Sequence, residues 1–143
     1  MYQRECLSLE QAQQAVNAVL KEAGKNPDKP VAVAVVDDRG DLVCSARMDK
    51  SWTLFMSMAI NKAHTAVTFG ANTRFLNEHW EDLKRKGINY EVSIWGDDKI
   101  TTIAGGLVIK SAGGVKLGGI GISGLTDDDD EKMAYVGLNA IRL

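Results

Sequence analysis

Val31-Ala-Val-Ala-Val-Val36, then Asp37-Asp-Arg-Gly40, then Leu42-Val-Cys-Ser-Ala-Arg47 is the stretch that decides the fold. Six consecutive apolar residues predict a strand covered on both faces, because a strand with one wet face alternates apolar and polar side chains. The Asp-Asp-Arg-Gly segment supplies turn chemistry, so Leu42 to Arg47 is expected to return as the second strand of an antiparallel hairpin.

Toward the N-terminus, Ser8 precedes a helical stripe of Leu9, Ala12, Val16, Val19, Leu20 and Ala23, and Ser8 with Gln11 makes a capping box. That helix is expected over about 9–24. The 25–30 segment carries both prolines of the chain and makes a tight connector. Toward the C-terminus, helical spacing returns from Trp52 to Phe69, where Ala59 and Ala63 allow close approach to a sheet. A second helix over 74–86 is anchored by Phe75, Leu76, Trp80 and Leu83, with an otherwise polar surface, and Gly87 stops it. Nine of the 14 glycines then lie between Gly96 and Gly124, among three short β-rich runs at 100–104, 107–109 and 115–122. Ser111-Ala-Gly-Gly114 is the hairpin turn between the last two. A final helix follows Thr126. With hairpin-length links between strands and no βαβ alternation, the order predicts an α+β domain with an antiparallel five-stranded sheet.

Composition fits one soluble domain over residues 1–143: 45% of the chain is hydrophobic and 25% charged, with no internal repeat. The 19 acidic residues narrowly outnumber 17 basic ones, which is no nucleic-acid footprint. The longest apolar run falls far short of the roughly 20 residues of a membrane-spanning helix, and residues 1–7 lack a secretory apolar core. The cytoplasm is the expected compartment, with Cys6 and Cys44 as reduced thiols; their spacing gives no disulfide framework and no metal site.

Several motifs have competing readings. Gly119-Ile-Gly121-Ile-Ser-Gly124 matches the dinucleotide fingerprint, yet only 19 residues follow it, too few for the rest of that unit. The acids at 127–131 lack the alternation of a calcium loop and are accounted for by a helix N-terminus capped by Thr126. His64 and His79 lie 15 apart without the i, i+4 partner of a zinc site. His64 is nevertheless suited to an axial haem ligand, to acid–base work or to a structural hydrogen bond. Arg47 either pairs with Asp37 or Asp49 or holds an anion. Gly105-Gly106 and Gly118-Gly119 either admit a ligand to the backbone or simply make bulges.

Taken in order, Val33-Ala-Val-Val-Asp37 with Gly40, Arg47-Met48-Asp49, Lys62-Ala-His-Thr65-Ala66, Thr73, Gly105-Gly106, Gly118-Gly119-Ile-Gly121-Ile-Ser123-Gly124 and Asp130 resemble the GlcG/HbpS family of haem-degrading or PduO C-terminal-like domains. The resemblance spans roughly residues 8–142. It implies a profilin-like α/β/α sandwich on a mainly antiparallel five-stranded sheet, and a homo-oligomer. It also implies a small-molecule ligand, haem in some members, or a place beside glycolate, propanediol or glycerol catabolism in others. The chain departs from the family's pattern at Asn89 to Asp98, where relatives carry a proline-rich loop. It also has no histidine before His64 to match an N-terminal haem ligand.

Three functions follow from these residues and the resemblance. The leading one is a ligand-binding protein for haem or another tetrapyrrole, its pocket between the second helix and the glycine-rich strands. There His64 or Met48 would be axial ligand, Arg47 and Lys62 would face the propionates, and Thr65, Gly105, Gly106, Gly119 and Ser123 would line the site. The second is an enzyme acting on a small carboxylate or hydroxy-carbonyl metabolite, with Arg47 fixing the carboxylate and Lys62, His64 or Asp49 moving protons. The third is an accessory protein that assembles through an exposed apolar patch on Trp80 or Trp95. No metal site and no nucleic-acid or membrane partner is expected.

Overall fold

The computed structural model describes all 143 residues. Its elements are α1 (Leu9–Ala23), β1 (Ala32–Asp37), β2 (Leu42–Arg47), α2 (Phe55–Phe69), α3 (Thr73–Arg85), β3 (Gly106–Lys110), β4 (Lys116–Ser123) and α4 (Asp127–Ala140), with one 3-10 turn at Val92–Trp95 between α3 and β3. The strands form one antiparallel sheet in the order β2-β1-β4-β3. This is an α+β fold with four helices.

The sheet has four strands and not the five expected. Ile100 to Ala104 makes no ladder because hydroxyls take its backbone donors: Thr101 N–H donates to Thr65 Oγ1 at 3.0 Å and Ile103 N–H to Thr101 Oγ1 at 3.3 Å. The second helix also starts three residues late. Lys50 sits at φ +68°, and a turn closed by the Phe55 N–H on Trp52 O leaves Trp52 largely exposed instead of on the buried stripe.

Local chemistry explains the remaining ends. The Ser8 hydroxyl accepts the Gln11 N–H at 3.1 Å while the Gln11 side chain accepts the Ser8 N–H at 3.0 Å, completing the capping box. Asp37 Oδ1 accepts from Arg39 N–H and Asp41 N–H at 2.9 and 3.1 Å and so shapes the β1–β2 turn. Thr126 caps α4 by accepting the Asp129 N–H, and Asp127 to Asp130 fill its first turn.

One sheet face carries Val33, Val35, Ile120 and Ile122 against Val16 and Val19 of α1 and Ala134 of α4. The other packs Ala32, Ala34 and Val36 against Ala59, Ala63 and Val67 of α2. Small residues on both sides bring α2 very close: a Cβ on Gly121 would fall on the Ala59 carbonyl, and one on Gly119 on the Ala63 carbonyl. Helix and sheet are in direct contact here, so the pocket expected between α2 and the glycine-rich strands is filled by backbone.

Candidate functional site

α2 turns its Lys62-Ala-His-Thr65 segment inward. Lys62 Nζ donates to Asp130 Oδ2 at 3.0 Å and to Ile122 O at 2.8 Å, with side-chain exposures of 1% and 3% for the two ions. Asp130 Oδ1 accepts the Leu125 N–H at 2.9 Å, so both ends of the pair are satisfied. Burial pushes the Asp130 carboxyl above its ordinary range, and the Lys62 charge pulls it partly back. Gly105, at φ +117°, passes directly over this pair; a Cβ there would meet Ile122 O, Asp130 Cβ and Lys62 Nζ at 2.8–3.1 Å. Gly106 lies against the Lys62 carbonyl, and its N–H donates to Thr73 Oγ1 at 3.0 Å. Lys62, Asp130, Gly105, Gly106 and Thr73 thus form one buried knot tying α2, α3, β3 and α4.

His64 and Thr65 of α2 hold a loop. His64 Nδ1 lies 3.2 Å from Gly40 O and its Nε2 2.6 Å from Asp97 Oδ2, so both ring nitrogens face oxygens. The His64 hydrogen bond holds the Asp97 carboxyl below its ordinary range, outweighing the upward push of burial, and the Lys99 N–H bond lowers it further. Thr65 Oγ1 donates to Asn61 O at 2.7 Å and lies 3.2 Å from Lys99 O, besides accepting from Thr101. Together they fix residues 97–101 on α2.

The remaining sequence-derived candidates are dispersed. Arg47, Met48 and Asp49 line a shallow cleft at the end of β2 with Lys50 and Pro27. Arg47 makes no ion pair with Asp37 or Asp49, contrary to that alternative; it lies opposite Ala32, at the other end of β1 from Asp37. The Met48 sulfur accepts the Val31 N–H at 3.4 Å. Ser123, buried at the end of β4, has its hydroxyl 3.9 Å from the Met58 sulfur. Gly119 lies under α2. The structure therefore joins Lys62 with Gly105 and Gly106, and leaves Arg47, Met48 and Asp49 at a separate corner.

A cavity of about 520 Å³ opens elsewhere, between the end of α2, one face of α3 and the 88–95 segment. Phe69, Leu76, Trp80, Leu83, Tyr90, Ile94 and Trp95 line it, and His79 is its only polar lining residue. The Trp95 ring stands edge-on to Phe69 at 5.3 Å and to Trp80 at 6.0 Å, and Trp80 Nε1–H donates to Tyr90 O at 3.1 Å. The His79 ring stacks on Phe75 and neither of its nitrogens bonds to the chain. His79 lies outside the motifs read in sequence; the crowding of aromatic residues over 80–95 was the available signal. Trp80 is buried in this wall and is no exposed patch, whereas Trp95 is half exposed.

The chain is similar over 100% of its length to a double mutant of Streptomyces reticuli HbpS, at 28% identity and a TM-score of 0.83, covering 92% of that protein. Klebsiella pneumoniae protein ORFY matches 98% of this chain and 93% of its own at 26% identity and a TM-score of 0.85. PduOC, solved as a heme complex, matches 96% of each chain at 28% identity and a TM-score of 0.81. No curated protein matches the chain by sequence. The family described as haem degrading protein HbpS-like matches residues 7–139, and the chain belongs to that HbpS-like family.

Proposed function

We propose that this chain binds haem or a related tetrapyrrole in the aromatic cavity beside α3, with His79 as the side chain offered to the iron. The observation that carries the reading is the cavity itself: its volume is in the range of small-ligand sites, and seven of its eight lining residues are apolar. Haem needs an apolar slot, an iron ligand and a cation for its propionates. Here the slot is walled by Trp80, Trp95 and Phe69, and the ligand is an imidazole with both nitrogens free. The cation is Lys84, which pairs with Glu81 at 3.2 Å on a cleft that adjoins the cavity through Trp80 and Tyr90 and, being half exposed, would exchange that carboxylate for a propionate. The similar PduOC supports the same ligand class through its heme complex. His64 and Met48 fit an axial role less well, since their donor atoms already face Gly40, Asp97 and Val31. The chain's own contribution is to exclude water, orient the ring between aromatic walls and present one nitrogen; bound iron would supply the redox and ligand chemistry.

Haem added to the purified protein is expected to give a saturable Soret band at one equivalent per chain. Trp95→Ala removes a wall and should weaken binding by roughly tenfold or more, the worth of a buried aromatic face. Trp52→Ala, outside the cavity, should not. Equal affinities for Trp95→Ala and the unaltered protein would remove the cavity assignment.

A further inference from the structure

Residues 88–95 wall the cavity from outside, and little holds them there. No residue from Gly87 to Gly96 is buried. The Ile88 N–H closes the end of α3 on Leu83 O at 2.9 Å, and the Ile94 and Gly96 N–H groups bond back to Glu91 and Ser93 within the segment itself. Between Ile88 and Asp97 a single hydrogen bond reaches the rest of the fold, from Trp80 Nε1–H to Tyr90 O at 3.1 Å. The other attachment is the Trp95 ring, edge-on to Phe69 of α2 and to Trp80 of α3. Few buried groups and few bonds to neighbours mark a segment that opens locally, without unfolding the domain.

Past Gly96 the attachment changes abruptly. His64 holds Asp97, and Thr65 Oγ1 accepts the Thr101 N–H, so 97–101 is fixed on α2. A loosely held span thus lies between two fixed ends. At each end the chain turns at a glycine in the left-handed region, Gly87 at φ +79° and Gly96 at φ +65°, and a Cβ on either would meet nothing within 4 Å. Neither glycine makes room for a neighbour, so what they supply is backbone direction and the freedom to change it. No proline stiffens the span between them.

We propose that residues 88–95 are a strap that swings on Gly87 and Gly96, breaking the Trp80–Tyr90 hydrogen bond and lifting Trp95 off Phe69 and Trp80, to admit a planar aromatic ligand and then close over it. Resting on the cavity as the ligand site, the strap adds how a ligand reaches it. A rigid planar ligand does not bend around a ring that touches both walls, and lifting Trp95 opens the way between α2 and α3.

Gly96→Ala tests the strap, because an alanine strained in the left-handed region penalises the closed position with and without ligand while its methyl meets open space. Stopped-flow mixing with haem, and separately with the dye anilinonaphthalene sulfonate as a second flat apolar probe, should show association and dissociation both about fivefold faster in Gly96→Ala, with the dissociation constant nearly unchanged. Gly114→Ala, in the β3–β4 turn, carries comparable strain at φ +84° and also meets nothing, so it should alter neither rate. Weaker binding with an unaltered association rate would make the segment a fixed wall and overturn the strap, as would equal rates in both variants and the unaltered protein. Both accelerations seen with the dye, in a protein that takes up no haem, would remove the haem assignment and leave the strap standing; uptake of neither probe would overturn both.

Discussion

Removing the Lys62 ammonium would leave Asp130 a buried carboxylate with the Leu125 N–H as its one remaining partner. Breaking a buried pair in this way costs about 3–5 kcal/mol, more than the pair itself contributes. Lys62→Met should therefore unfold at markedly lower denaturant concentration, and adding Asp130→Leu should recover part of the loss; a single variant no worse than the double would refute this account of the knot. Asp97 responds to pH instead. Asp97 titrates lower folded than unfolded, so it contributes stability above the ordinary carboxylate range, and that contribution disappears as pH falls through the lowered folded value. Denaturation midpoints measured against pH should lose this acid-side dependence in His64→Ala. At this scale the sequence showed which residues of α2 are unusual but not what they meet. Lys62 and Asp130 are 68 positions apart, and one letter does not distinguish a paired lysine from a proton carrier.

At the scale of elements, the contact between α2 and β4 rests on absent side chains. Gly121→Ala would drive a methyl into the Ala59 carbonyl, on helix backbone that has no rotamer to change, and should cost about 1–3 kcal/mol or more. Gly113→Ala, in the β3–β4 turn, meets nothing closer than Ser111 Oγ at 3.8 Å and should leave the melting temperature nearly unchanged. A melting temperature lowered equally by both would contradict close packing as the reason for the glycine in β4. The β1–β2 hairpin, α1 and its capping box were legible because their signals are local. Ile100 to Ala104 misled because β-rich composition does not guarantee a partner strand: Thr65, some 35 residues earlier, captures its backbone. The glycine run of β4 invited a ligand reading for the same reason. Its neighbour is a helix that only the tertiary structure brings there.

Across the whole molecule, the buried knot under α2 and the cavity beside α3 are different places. The family motifs concentrate on the first, where Lys62, Thr65, Gly105 and Gly106 hold elements together. The second is assembled from Phe69, four positions along α3, and Tyr90, Ile94 and Trp95, none of which forms a motif. α3 reads in sequence as a few apolar anchors on an otherwise polar surface; in the structure Leu76, Trp80 and Leu83 form a cavity wall with the 88–95 segment. No helix is long and apolar enough to cross a membrane, in agreement with the apolar run lengths. Link between the two places is short: Asp97, held by His64, follows Trp95 by two residues, so α2 anchors the segment carrying one wall.

The most direct measurement is the position of the Soret band in haem-loaded protein carrying either His79→Ala or His64→Ala, since band position reports the iron ligand. A band displaced by His79→Ala and left in place by His64→Ala is the predicted result. A band unmoved by His79→Ala and displaced by His64→Ala would contradict the account and return the ligand to α2.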